Sequence, residues 1–379
     1  MNISKSGRAI LILLFILIPS SHLMTQLPPG FQFDLGFLEA PEISKFNQAG
    51  FVRPDSGWSY NFITGGHLYG AHGNDHAIYP SSSLLANVDA INGARPSALI
   101  ATGDVVRSSR DAAALAGWKT AGALVKPPIY NAPGNHDLDD PQAYEKAFGK
   151  LQSSFYIRDD FFLLLNTEDL LKEKGKNIQR FVDDQIERVK KRPRPVRNLF
   201  VFSHRMLAPL CDPSLSRMDD YANESFLDLV DAELVCQVFQ AVGSIPHEEE
   251  WWWFSGDVGT HWSVPGIYGE SNDPKCRVLA TGTGDTGKDL LAKVTVGYDG
   301  KVSLASLPLY PTEKAPDLQT LTADYWQGIQ SQDPENEPGG NPISGLVKKK
   351  SFWAGAIAGG AIIALIFILL GRLSKRKSS

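Results

Sequence analysis

No CxxC pair occurs in this chain. Its three cysteines, Cys211, Cys236 and Cys276, lie far apart, which excludes a zinc ribbon built from paired thiolates. At most one pair can bridge, and all three read as buried structural residues, a use in which cysteine behaves as a small apolar side chain. An excess of positive charge is also missing. The 379 residues carry a formal net charge of −5, so there is no sequence-wide electrostatic footprint for a nucleic acid. Internal repeats are absent. What is present is an ordinary apolar fraction, 43%, enough for the core of one large domain or two small ones.

Both ends of the chain read as membrane-related. Lys5 and Arg8 precede an apolar run from Ile10 to Ile18, followed by Pro19, Ser20 and Ser21. Basic flank, short apolar stretch and small residues make a secretory signal or N-terminal anchor over residues 1–25, although no Ala-x-Ala marks a cleavage point. The run is short of the roughly twenty residues that span a bilayer. By contrast, Phe352 to Gly371 is uncharged and long enough to span, and we expect a transmembrane helix over 352–371. Gly355 and Gly359 give it a GxxxG face suited to a homodimer. A basic tail, 372–379, is expected to stay cytoplasmic, which puts the rest on the outer, periplasmic, extracellular or lumenal side.

Between these ends we read one domain, 26–309, and a Pro/Gly/acidic linker, 310–347, with a helical turn near Thr322 to Ile329. In the domain, apolar strands are expected at Asn61–Gly65, Ser97–Thr102, Ile129–Ala132, Phe161–Asn166, Leu199–Ser203 and Trp251–Ser255. Amphipathic helices are expected at Ala112–Leu124 and Asn177–Lys190. Shorter strands then follow at Arg277–Thr281, Leu291–Val296 and Val302–Leu307. Alternation that closes in antiparallel strands predicts an α/β fold of two packed mixed sheets with helices outside.

Polar groups recur where the strands end. In chain order they are Gly66-His67, Gly103-Asp104, Gly134-Asn135-His136-Asp137, Ser203-His204 and Gly256-Asp257. Strand C-terminal ends are where open α/β sheets carry sites. Carboxylate, amide and imidazole together suit a transition metal, and an added His and Asp suit proton transfer.

This series resembles the calcineurin-like metallophosphoesterases, whose pattern runs DxH, GD, GNH(D/E), H and GHxH along a four-layer α/β/β/α sandwich. The resemblance covers about Tyr60 to Leu307. It implies a metal-dependent hydrolase of phosphate mono- or diesters, with a phosphate ester as substrate; membrane attachment is expected separately, from the apolar run at 352–371. Residue by residue it makes Asp104 the metal-bridging carboxylate, Asn135 and His204 ligands of one metal, and His67 a ligand of the other. His136 becomes the acid that protonates the leaving group, and Asp137 its orienting partner. The pattern is broken at both ends. Gly65 stands where the family has the Asp of DxH, and Asp257 and Gly259 stand at the two histidines of GHxH. Asp257 still offers an oxygen, so one divalent metal (Mn, Fe or Zn) keeps Asp104, Asn135, His204 and Asp257. The second keeps only His67 and Asp104, unless His72, Asp75, His76 or His261 joins it. The expectation is a membrane-anchored phosphoesterase of reduced activity. Its rival is a binding or assembly module of the same fold at the cell envelope.

Three further signals are read structurally. Gly282 to Lys288 approaches a P-loop, but Asp289 replaces its Ser/Thr. Trp251-Trp252-Trp253-Phe254 reads as a buried strand, and Lys190 to Arg194 as a basic helix end. Asn223-Glu224-Ser225 is a glycosylation sequon if the chain is eukaryotic.

Overall fold

The computed structural model describes residues 42–51, 59–71, 73–172, 174–226, 229–260, 264–272, 275–312 and 314–332. The expected signal at 1–25, the transmembrane helix at 352–371, its Gly355/Gly359 face and the tail at 372–379 lie outside the described residues. Among the described residues no helix is long and apolar enough to cross a membrane.

Among the described residues eleven strands form two mixed sheets. The first runs in the order β11 (Val302–Pro308), β10 (Leu290–Val296), β1 (Tyr60–Gly65), β2 (Leu99–Ala101), β3 (Ile129–Asn131). Strands β1, β2 and β3 are parallel, and β10 and β11 add on antiparallel. The second runs β4 (Ser153–Ile157), β5 (Asp160–Leu164), β6 (Leu199–Phe202), β7 (Trp251–Ser255), β9 (Lys275–Thr281), β8 (Gly266–Asn272). Its four central strands are parallel and both edge strands antiparallel.

The sheets face one another through aromatic rings. Phe62 of β1 meets Phe162, Phe200, Phe202 and Phe254 of the second sheet at centroid distances of 5.2, 5.3, 5.7 and 5.8 Å, all edge-on. Such T-shaped pairs add to the area they bury. Period-two alternation turns Ile63, Leu99 and Ile129 the other way, onto a second cluster with Trp118 and Phe148 from the helices Ala112–Gly122 and Pro141–Phe148. Both helices start on an aspartate cap, Asp111 accepting from Ala113 N and Asp140 from Ala143 N. On the far side of the second sheet, Trp251 and Trp253 pack on Phe239 of the helix Ala232–Gly243, each at 5.2 Å. The four tryptophan-strand rings are therefore core. Asp160 ties the sheets at one end: fully buried, it accepts from Tyr60 of β1, from Arg197 through two nitrogens, and from Asn198.

Three expectations are corrected here. The linker does not begin at 310: Leu318, Leu321 and Trp326 are buried, Trp326 Nε1 donates to Gly266 O at 2.9 Å, and the helix Ala323–Gln332 lies against the domain. Apolar residues at three positions in a polar stretch were enough to dock it. Cys211 and Cys236 form a disulfide, because the helices Ala208–Cys211 and Ala232–Gly243 bring their Cα atoms to 5.2 Å, and only Cys276 is free and buried. Strands β4 and β8 were not anticipated.

Candidate metal centre

The parallel strands β1, β2, β3, β6 and β7 end on one edge, and the turns after them hold the polar series. Asp104 sits in the turn after β2 with φ +53°, an uncommon conformation for a residue with a side chain. Packing is close enough that a Cβ at Gly134 would strike the Asp104 carboxylate, and one at Gly103, itself at φ +85°, would lie 2.6 Å from His204 Nδ1. Glycine at these two positions lets three turns converge.

The convergence is on one atom. His204 Nδ1 lies 3.1 Å from the carbonyl of Thr102, which can only accept; with the ring proton on Nδ1, Nε2 presents a lone pair. Facing Nε2 are Asn135 Oδ1 at 3.1 Å, Asp104 Oδ2 at 3.5 Å and Asp257 Oδ1 at 3.8 Å. In that tautomer the imidazole nitrogen and three side-chain oxygens meet as acceptors. A cation held at about 2.0–2.2 Å sets neighbouring ligand atoms roughly 3–3.5 Å apart; Asn135 Oδ1 and Asp104 Oδ2 stand at that spacing from His204 Nε2, and Asp257 Oδ1 lies beyond it. Among the described residues no group of three or more His, Cys, Asp or Glu side chains is arranged to hold a metal ion, so a cation here would draw Asp104, Asn135, His204 and Asp257 closer together than they stand. His67 is more remote, its Nε2 3.9 Å from Asp104 Oδ2. Of the side chains suggested for a second metal, His76 is exposed, Asp75 pairs with Arg107 at 2.7 Å, and His72 and His261 lie outside the described residues.

The electrostatics express the same crowding. Burial, then repulsion from Asp137 and Asp257, holds the Asp104 carboxyl well above its usual range. Burial also raises Asp257, against the pull of Arg205. Burial, reinforced by Arg205, lowers His204 to about 3. The sign of that last shift gives a prediction. The unfolded imidazole takes up its proton near 6.5, the folded one only near 3. His204 therefore destabilises the fold increasingly as pH falls through that window, and not above it. In metal-free protein, wild type should lose stability relative to His204→Gln by up to about 1.4 kcal/mol per pH unit below pH 6.5, read from urea unfolding midpoints. Parallel profiles would show that His204 titrates as it does unfolded.

Asp137, expected to orient His136, is engaged elsewhere. Its Oδ1 accepts from Val105 N and Val106 N at 2.9 and 3.1 Å, and its Oδ2 from Gly134 N at 2.9 Å. It clamps the two turns together, and burial pushes its carboxyl up to about 7 against these donors. His136 lies against Arg107, whose Nη1 is 2.7 Å from Nδ1 and 3.1 Å from Nε2, and its backbone N donates to Asp104 Oδ1 at 3.2 Å. Burial first and Arg107 second lower its pKa, which holds the ring neutral.

Arg205 was missed in the sequence, where it is only the residue after His204. It is 1% exposed and bonds Glu168 (Nε, 2.8 Å), Asp257 Oδ2 (Nη1, 2.7 Å) and Glu224 (Nη2, 2.7 Å). Asp257 thus gives one oxygen to Arg205 and turns the other toward His204. The neighbouring sequon is folded into the same loop: Asn223 N donates to Asp257 O, and its Oδ1 accepts from Thr260 N at 2.9 Å, which leaves it a poor glycan acceptor. The glycine-rich turn at 282–288 is filled by its own chain. The buried Asp289 carboxylate accepts from the amides of Gly284, Asp285 and Thr286 and from Ser83, the position a phosphate takes in a P-loop.

No family model and no curated protein matches this chain. Solved structures similar to it include a purple acid phosphatase from yellow lupin (Lupinus luteus) seeds, 12% identical, covering 71% of this chain and 54% of that one with a TM-score of 0.49. They also include a dimetal phosphatase from Danio rerio, 13% identical, covering 66% and 99% with a TM-score of 0.41. The chain matches about half the length of the lupin protein.

Proposed function

We propose that this chain is a phosphoesterase of metallophosphoesterase type working with a single divalent cation, held by Asp104, Asn135, His204 and Asp257. The observation that carries the reading is the meeting of three side-chain oxygens around His204 Nε2. A divalent cation bound there supplies a Lewis acid for a phosphoryl oxygen and an acidified water. The chain's own residues do the rest. The Thr102 carbonyl fixes the His204 tautomer, Arg205 fixes the rotamer of Asp257, and the His136 amide fixes Asp104. His136 is half-buried, and we assign it the leaving-group proton. A ring held neutral beside Arg107 is a poor proton donor. Turnover is therefore expected to be slow and to favour esters whose leaving groups need little protonation.

The full-length chain, purified in detergent and supplied with Mn, Fe or Zn, should hydrolyse an aryl phosphomonoester or diester measurably and an alkyl ester at least about ten times more slowly. Equal rates on both would contradict the role given to His136, and no turnover with any metal would sink the enzyme reading. The second reading, a binding module without turnover, is favoured by the missing ligand at Gly65 and by the commitment of Asp257 to Arg205. We place the domain outside the membrane, anchored by residues 352–371 and able to pair through Gly355 and Gly359. The Cys211–Cys236 disulfide supports an oxidising location.

A further inference from the structure

We infer that the Tyr69 hydroxyl and the Nε–H of Arg107, whose guanidinium lies over the Tyr69 ring, donate hydrogen bonds to a phosphoryl oxygen and form the anion-binding half of the site. The inference rests on the phosphoesterase reading and adds to it a residue outside the resemblance.

Tyr69 is 2% exposed, and its hydroxyl has no hydrogen-bond partner among the described residues. A buried donor left unmade is a standing cost, and most buried polar atoms avoid it. The ring borders the candidate centre: 4.2 Å from the His67 ring, 5.1 Å and edge-on to the His136 ring, with Tyr69 N donating to Asp104 O at 3.2 Å. Arg107 covers it, its Cζ 5.5 Å from the ring centroid. The Nε of that guanidinium is also buried and unpartnered among the described residues, while Nη1 and Nη2 are taken by His136 and Asp75.

The site is thus divided. One half is a surplus of acceptors around His204 Nε2, which calls for a cation. The other half is a pair of idle donors, which calls for an anion. A phosphate ester is an oxyanion with several unbridged oxygens, and it would satisfy both halves, one oxygen turned to the cation that Asp104, Asn135, His204 and Asp257 would hold and another to the Tyr69 and Arg107 donors. Phenol and guanidinium are both donors at neutral pH. Asp75 is 72% exposed at the side chain, so its pair with Arg107 is an exposed, weakly held contact at the rim. A phenylalanine would pack the same space without the idle hydroxyl, and the presence of tyrosine is explained by a ligand.

The test compares wild type and Tyr69→Phe, both full-length and Mn-loaded, by calorimetric titration with inorganic phosphate, with bound Mn and the thermal midpoint of phosphate-free protein measured in parallel. The variant should keep its Mn, hold or raise its thermal midpoint, and bind phosphate about 10- to 100-fold more weakly, as expected for losing a hydrogen bond to a charged acceptor. Unchanged phosphate affinity would overturn the inference and leave the phosphoesterase reading standing. So would a lowered midpoint or failure to fold, because the hydroxyl would then serve the structure. Wild type that binds Mn but no phosphate overturns the inference as well. Wild type that binds neither overturns it together with the reading on which it rests.

Discussion

Replacing Arg205 with alanine is expected to cost the fold about 3–5 kcal/mol. The guanidinium is all but sealed from solvent, and two of its three carboxylate partners are sealed with it: Glu168 is 2% and Asp257 5% exposed at the side chain. Removing the cation strands two buried negative charges, and such a group loses far more than the net worth of its ion pair. Glu224 is 52% exposed, so Glu224→Ala should cost no more than about 1 kcal/mol. Arg205→Lys cannot reproduce three directed contacts and should fall between the two. Adding Glu168→Gln to Arg205→Ala should restore part of the loss, because it removes one stranded charge. Urea unfolding of the four variants decides the matter. A loss below about 1 kcal/mol for Arg205→Ala would mean that the network is solvated and that Asp257 is not held in place by it.

The parallel core of both sheets was legible because its strands are continuous apolar runs ending in Gly-polar turns. β7 was read to the residue, and β1 and β10 within one residue at each end. The edge strands were not legible. β4 opens on Ser153-Ser154 and β8 carries Gly266, Gly269, Ser271 and Asn272, so neither shows an apolar run or clean alternation. In the candidate centre, Asp104, Asn135, His204 and Asp257 were found because each follows a strand, and the fold brings those four together. The role of Asp137 could not be read, since three backbone amides compete for its carboxylate and backbone donors leave no mark in a sequence. Arg205 escaped for a related reason. Its partners lie at Glu168, Glu224 and Asp257, on three separate turns, and only tertiary packing joins them. Tyr69 looked like core, which it is, apart from its idle hydroxyl.

The loss expected from Asp104→Asn is larger in function than any other single change. Asp104 Oδ2 faces both His204 and His67, and its Oδ1 is held by the His136 amide. The amide of asparagine keeps the shape but removes the charge that draws a cation into a buried position, and a hard divalent ion depends on that charge. Its cost should exceed the 10- to 100-fold typical of a residue that only supports a ligand, reaching about 100-fold or more in metal affinity. The direct measurement is metal content of the full-length protein after incubation with Mn, Fe or Zn and dialysis, wild type against Asp104→Asn. A single centre predicts about one ion retained per wild-type chain and little or none in the variant. Equal metal in the two proteins, or none in wild type, would contradict it.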